Sequence, residues 1–339
     1  MHPAPARFHG ASLGEDCQAD TCQPLLKAAG AGRLQFAAVV HGAYPGVALP
    51  ATVLPRLCSA GAWNAHDEQD WGLDWHHNEG IEFTYLFSGR LGFAVEGGNH
   101  QMRPGCLTIT RPWQRHRVGL PRVGASHLAW LILDVGVRRP NQAWRWPEWL
   151  VLTRGERGRL AALLGKNEQP LWKTGAGPAG AFRRIEEIAR TAAARRFDRT
   201  RMALAVNELL LVILETLEGM KIPLDDSLTS NERCVELFLS ALPRRAGEEW
   251  TVDSMAARCG LKRSRFTTYC QQLTNRPPAQ YLSYCRVKAA ARLLRERPGL
   301  PVTEIAYACG FSSSQHFATV FREFNGMSPT QWREKARAD

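Results

Sequence analysis

The chain has 339 residues, 45% hydrophobic and 22% charged, with a formal net charge of +11. That length allows two or three domains with cores of their own, and the composition is that of a soluble globular protein. The positive balance points to an acidic partner, nucleic acid or a membrane surface. No basic segment followed by an apolar run opens the chain, so no signal peptide is expected. The longest apolar run, LLLVILETL at 209–217, is too short to span a bilayer. The nine Cys show no CxxC and no ladder of spacings, which fits reduced thiols in a cytoplasm.

Residues 1–30, rich in Ala, Gly and Pro, are expected to be loose. From 31 to about 140 the text reads as short strands with turn signals. IEFTYLF (81–87) alternates and meets Ser88-Gly89-Arg90; LGFAVE follows and meets Gly97-Gly98-Asn99; CLTIT and SHLAWLILDV are further strands. Closely spaced strands of this kind predict a β-sandwich or barrel. NQAWRWPEWL (141–150) holds three Trp, which are expected to pack against it.

From about 154 the period turns helical, and 141–220 reads as a helical region. Ala203, Val206, Leu210, Ile213, Leu217 and Met220 step by threes and fours, a heptad seam, with Leu204, Leu211 and Leu214 as a second stripe. Such a helix needs cover on two sides. The preceding helix, with Phe182, Ile185, Ala189 and Ala192, supplies one; a second subunit, or the rest of the same chain, supplies the other. KIPLDDSLTSNE marks a linker at 221–231.

From Asn231 to the end there are 17 Lys+Arg against 10 Asp+Glu, and between Ser254 and Thr303 ten basic residues face one acid, Glu296. Within this stretch a pattern occurs twice. Met255, Ala256, Gly260 and Phe266 form the first copy, and Ile305, Ala306, Gly310 and Phe317 the second. A helix-turn-helix needs a small residue where its helices cross, a Gly for the turn and an apolar anchor in the second helix. Here the anchors continue as Tyr269, Cys270, Leu273 and as Val320, Phe321, Phe324. The opposite faces carry Arg263, Ser264, Thr267, Thr268 and Ser314, Gln315, His316, Thr319, types able to reach base edges or phosphates. Between the copies, AQYLSYCRVKAAARLL predicts one helix burying Tyr281, Leu282, Cys285, Ala289 and Leu293, a rod of about 24 Å.

Residues 232–339 resemble the DNA-binding domain of the AraC/XylS family of bacterial transcriptional regulators, IAYACGFSSSQHFATVFREFNGMSPTQWR almost throughout. The resemblance implies DNA-contacting roles for Ser264, Thr267, Thr268, Ser313, Ser314, Gln315, His316 and Thr319, with Arg263, Arg265 and Arg322 on phosphates or bases. Lys262 stands where the family has Ser, so the first reading helix lacks that cap. WHHNEGIEFTYLFSGRLGF and PGCLTITRPWQRH resemble the family's cupin-like sensor. Metal-bearing cupins would use His77, Glu82 and His116, with Trp75 in place of their first His. The competing account is a metal-free pocket for an effector. Trp63, Trp71 and Trp75 beside His76, His77, Glu82 and His116 suit a sugar, whose faces stack while its hydroxyls bond.

The expectation is thus an α+β protein: a cupin-like β-barrel at 31–140, a helical dimerisation region at 141–220 and an all-α domain at 232–339 with two helix-turn-helix units. It would be a cytoplasmic, non-enzymatic regulator needing no cofactor, with double-stranded DNA, a small-molecule effector, a second copy of itself and RNA polymerase as partners, and no membrane. The alternatives are a metal-dependent cupin enzyme or a regulator without an effector. Alkyl transfer to a Cys, known in DNA repair proteins with similar DNA-binding units, finds no support in the isolated Cys17 and Cys22.

Overall fold

The computed structural model describes residues 7–8, 17–18, 22–112, 114–192 and 197–338. The expected loose N-terminus and the Cys17 side chain lie largely outside them. Two compact units emerge: Arg7–Phe8, Cys17–Arg138 and Gln142–Leu228 make one, and Arg139–Asn141 with the chain from Thr229 the other.

In the first unit β1 (Arg7–Phe8) and β2 (Cys17–Gln18) pair antiparallel. Residues 23–30, expected to be loose, form α1 (Gln23–Gly30): Pro24 suits a first turn, and Leu25 and Ala28 are buried. The strands follow as β3 (Gln35–Val40), β4 (Val47–Ala48), β5 (Leu57–Ala65), β6 (Leu73–His76), β7 (Ile81–Gly89), β8 (Leu91–Val95), β9 (Gly98–Met102), β10 (Cys106–Thr110), β11 (His116–Val118) and β12 (Ser126–Leu133). After them come α2 (Arg154–Gly165), β13 (Leu171–Lys173), α3 (Ala179–Ala192) and α4 (Arg199–Gly219). One sheet has the order β13-β10-β7-β12-β5-β3-β4, the other β6-β11-β8-β9. β13 lies in a region read as helical; three residues carry no period, and only pairing with β10 makes them a strand.

The continuous apolar run of β12 follows from burial on both faces. Leu128, Trp130 and Ile132 enter the core between the sheets, while Leu131 and Leu133 face a second core against the helices. β7 splits the same way: Ile81, Phe83 and Tyr85 turn to the helices, leaving Glu82 and Thr84 on the side between the sheets. Trp144, Trp146 and Trp149 pack against the helical core.

The heptad seam of α4 faces inward. Val206, Leu210, Ile213 and Leu217 are buried in this chain's own helical core, where α2 and α3 pack against α4, Ala203 is half-buried, and only Met220 of the seam is exposed. The outward stripe instead carries Leu204, 62% exposed, and Leu211, 39% exposed, between Arg201, Glu208 and Glu215.

A 3-10 turn at Asp226–Thr229 precedes the second unit, which comprises α5 (Asn231–Arg245), α6 (Val252–Arg258), α7 (Arg263–Thr274), α8 (Pro278–Glu296), α9 (Val302–Ala308), α10 (Ser314–Asn325) and α11 (Pro329–Ala338). It has two cores. Phe238, Met255, Phe266 and Cys285 belong to the first, and Ile305, Phe317, Phe321 and Leu294 to the second. α8 runs 19 residues, about 28 Å at 1.5 Å each. Ala289 and Leu293, expected inside, are only half-buried; Val287, Ala290, Ala291 and Leu294 are buried instead, because the helix changes face between the cores.

Candidate nucleic-acid interface and barrel cavity

Both helix-turn-helix units form as the repeated pattern predicts. Gly260 (φ 68°) and Gly310 (φ 82°) take the left-handed turn, and Met255, Ala256, Phe266, Ile305, Ala306 and Phe317 are buried. Gly310 stands seven residues before its anchor and Gly260 six, and the extra residue of the second turn is used for capping. The Ser313 hydroxyl accepts the His316 N–H at 3.2 Å, so this side chain, expected on DNA, is engaged by its own helix. Lys262 makes no such bond, yet α7 still begins at Arg263. Burial of Phe266, worth roughly 2–3 kcal/mol, outweighs the ~1 kcal/mol of a missing cap.

At about 100° per residue, Ser264 and Thr268 lie opposite Phe266, and Gln315 and Thr319 lie opposite Phe317. All four are exposed, as are Arg263, Arg265, His316 and Arg322, whereas Thr267 and Ser314 are half-buried. The Thr268 and Thr319 hydroxyls donate back to Ser264 and Gln315 carbonyls, leaving them as acceptors toward a ligand. Counting from each anchor, Gln271 occupies the place in α7 that Arg322 holds in α10. It is exposed with its neighbour Gln272, and sequence reasoning missed both. The spacing of the anchors was the signal that would have found them. Leu273, expected as an anchor, is 38% exposed in the last turn of α7.

Of the ten clustered basic residues, three serve packing. Arg258 lies over Trp250, Arg276 over Tyr284, and Arg286 donates to the carbonyls of Ala246 and Glu248. Lys262, Arg263, Arg265, Lys288, Arg292, Arg295 and Arg297 are exposed. Arg263 pairs with Asp253 at 3.1 Å, an exposed bridge worth less than about 1 kcal/mol and readily exchanged for a phosphate. The four Cys read as small core residues, Cys259, Cys270, Cys285 and Cys309, are buried, and burial pushes the Cys285 and Cys309 thiols up to about 11.

In the first unit a cavity of about 50 Å³, open to solvent on one side, lies between the sheets. Trp63, His76 and Glu82, three of the expected effector residues, line it together with Tyr44, Asn78, Thr84 and Trp130. Glu82 accepts hydrogen bonds from Asn78 Nδ2 (2.8 Å) and Thr84 Oγ1 (3.0 Å) and lies 2.9 Å from His116 Nε2. Burial would raise its pKa, but the bonds from His116 and Thr84 and the charges of His116 and His76 hold it down to about 2. His116 Nδ1 donates to the Gln114 carbonyl at 2.8 Å, and its Nε2 faces Glu82 with the Asn78 amide 3.5 Å away. The Tyr44 hydroxyl donates to Asn78 and Glu79.

Trp71, Trp75 and His77 are not on the cavity wall. Trp71 meets Trp63 edge-on at 6.1 Å and donates to Gln69. Trp75 is held between Arg115 and Arg117, at 5.2 and 4.9 Å from its ring. The reason is a β-bulge: His76 pairs with His116 but Leu73 with Val118, three steps against two. The extra residue reverses the alternation of β6, so His76 joins Leu73 at the cavity and Trp75 turns out. A metal does not fit either. Among the described residues no three His, Cys, Asp or Glu gather as a metal-holding group. In the expected set of His77, Glu82 and His116, the His116 Nε2 lies 2.9 Å from Glu82 and pairs with it, and His77 is not on the cavity wall. No helix among the described residues is long and apolar enough to cross a membrane.

The family described as helix-turn-helix domain matches residues 255–335. RhaR of Klebsiella pneumoniae, an HTH-type transcriptional activator, is 30% identical over 195 residues, 57% of this chain and 68% of RhaR. ArgR of Pseudomonas aeruginosa, an HTH-type transcriptional regulator, is 30% identical over 138 residues, 40% of this chain and 42% of ArgR. The DNA-binding domain of AdpA, solved with a target DNA, aligns at 34% identity over 30% of this chain and 93% of that chain, with a TM-score of 0.28. Two helix-turn-helix units with polar outward faces, joined to a sheet-rich unit, define a DNA-binding transcriptional regulator. The chain belongs to the AraC/XylS family.

Proposed function

We propose that this regulator places α7 and α10 in two successive major-groove segments on one side of the duplex, and that a small molecule in the barrel cavity controls it. The observation that carries the first part is the equivalence of the two outward faces, Ser264, Thr268 and Gln271 matched by Gln315, Thr319 and Arg322. Polar side chains at those places read base edges, while the exposed Lys and Arg neutralise phosphates and make binding fall steeply with salt. The protein works as a homodimer through the Leu204–Leu211 face of α4, and RNA polymerase is the partner through which it acts on transcription. The effector acts only by favouring one arrangement of the DNA-bound protein over another. The case for a sugar rested on a cluster of Trp and acids of which Trp63 and Glu82 alone are on the cavity wall.

Sequencing the DNA fragments that the purified chain retains, followed by footprinting, tests this reading. Each protomer should protect two segments centred about 10 bp apart. Protection of only five or six base pairs per protomer, about half that span, would refute it.

A further inference from the structure

We infer that the barrel cavity selects a small molecule with a compact apolar body and one hydrogen-bond-donating head, an amine before a hydroxyl, and that it discriminates against carboxylates and sugars. This rests on the reading of the cavity as an effector site. The first observation is charge. The residues lining the cavity include one carboxylate, Glu82, and neither Lys nor Arg. The one basic side chain there, His76, already acts on Glu82, so an anionic head would meet a like charge and find no second cation on the wall.

The second observation is the direction of the hydrogen bonds. Most of the donors on the wall are already spent on protein acceptors. The indole N–H of Trp63 goes to Ser126 Oγ at 3.3 Å and that of Trp130 to Ser59 Oγ at 2.8 Å. The Thr84 hydroxyl and the Asn78 amide both donate to Glu82, and the Tyr44 hydroxyl donates to Asn78 and Glu79. His76 turns Nδ1 to the Asp74 carbonyl at 2.6 Å. What these bonds leave is acceptor capacity: Glu82 Oε1 takes the Thr84 proton and has a further lone pair, as has Thr84 Oγ1. A ligand that donates is therefore matched, and one that mainly accepts is not.

The third observation is the rest of the wall. Leu25, Leu73, Val118, Leu128, Trp130 and Ile132 offer apolar surface only. A sugar would leave several hydroxyls without partners there, and buried hydroxyls without partners oppose binding. A phenyl or alkyl body gains from the same contacts.

The experiment is calorimetry on the full chain with 2-phenylethylamine, 2-phenylethanol, phenylacetate, a pentose and a deoxyhexose. The amine should bind most tightly, the alcohol next, and phenylacetate and both sugars at least tenfold more weakly than the amine. Glu82→Gln should weaken the amine at least tenfold and the alcohol much less. Val118→Trp, which fills the cavity from the four-stranded sheet, should abolish both, and it decides the location if Glu82→Gln does not fold. Tighter binding of phenylacetate or a sugar, or no binding of the amine, overturns the proposal. Retention of DNA fragments is measured in parallel. A bound amine that leaves retention unchanged would count against effector control while leaving the order of head groups standing.

Discussion

Gly310 is the position where the backbone argument is most exposed to test. Its φ of 82° lies in the left-handed region, where an L side chain costs about 1–2 kcal/mol. Space adds to this. A Cβ at Gly310 would stand 2.8 Å from the Gly247 carbonyl oxygen and 3.0 Å from both the Ala246 oxygen and Arg286 Nε. Relieving that crowding disturbs the 2.8 Å bond from Arg286 Nε to the Ala246 carbonyl. A charge-assisted bond of this kind is worth about 1.5–3 kcal/mol, part of which would be lost. Gly310→Ala should therefore destabilise the second unit by about 2–4 kcal/mol, against a total of roughly 5–15 for a domain. Gly326 is the control, with a φ of 73° and no heavy atom within 4 Å of the added Cβ. Gly326→Ala carries only the conformational cost of about 1–2 kcal/mol. Urea unfolding of the full chain, read by circular dichroism, should place the Gly310→Ala midpoint clearly below that of Gly326→Ala. Equal midpoints would show that the crowding around the second turn contributes nothing.

Gln315→Ala should cost about 1–3 kcal/mol at the preferred DNA site and relax the preference at one base position, and Gln271→Ala should do the same in the other half of the site. An unchanged ranking of site variants would remove them from the reading face. Leu204→Glu with Leu211→Glu should convert the dimer to monomer in sedimentation; an unchanged mass would move the dimer interface elsewhere. Acid should weaken the first unit through Glu186 and Asp134. A hydrogen bond from His127 lowers the Glu186 pKa, and Arg138 lowers that of Asp134 against the opposing effect of burial. A depressed carboxylate contributes stability above its unfolded pKa, about 4 for these types, and loses that contribution as pH falls through the folded value. Glu186→Gln should therefore flatten the fall in unfolding midpoint below about pH 4.5, and an unaltered slope would refute the assignment.

The helix-turn-helix units were legible because each depends on few residues at fixed places. Gly260 and Gly310 need the left-handed turn, and Phe266 and Phe317 must be buried whatever else surrounds them. The strands β7, β8, β10 and β12 were legible from alternation and turn signals. The direction of the α4 seam was not, since a heptad of apolar residues is the same text whether helices of the same chain or a second copy cover it. Trp75 was misplaced for a different reason. Alternation is a local rule, and the bulge that breaks it exists only in the pairing of β6 with β11. Tyr44 and Leu25 reach the cavity from a loop and from α1, where no sequence period points at a ligand. Of the tryptophans that argued for a sugar, Trp63 and Trp71 donate their indole N–H groups to Ser126 and Gln69, and Trp75 is held between Arg115 and Arg117.

The stripes of α8 set what an effector can change. Leu282 and Cys285 pack in the first core, and Val287, Ala290, Ala291 and Leu294 in the second. At about 100° per residue the two sets lie on nearly opposite sides of the helix. Each helix-turn-helix is thus fastened to its own side of one rod. Tyr284 adds a tie, meeting Arg276 at 4.6 Å and the Phe324 ring at 6.0 Å. Altering the distance between α7 and α10 would mean opening a core that buries Phe266 or one that buries Phe317 and Phe321, each residue worth roughly 2–3 kcal/mol in burial alone. A ligand delivers only the difference between its affinities for two states. It is therefore cheaper for an effector to reposition the DNA-binding unit as one body than to spread its reading helices, and operator spacing within a half-site is fixed by α8.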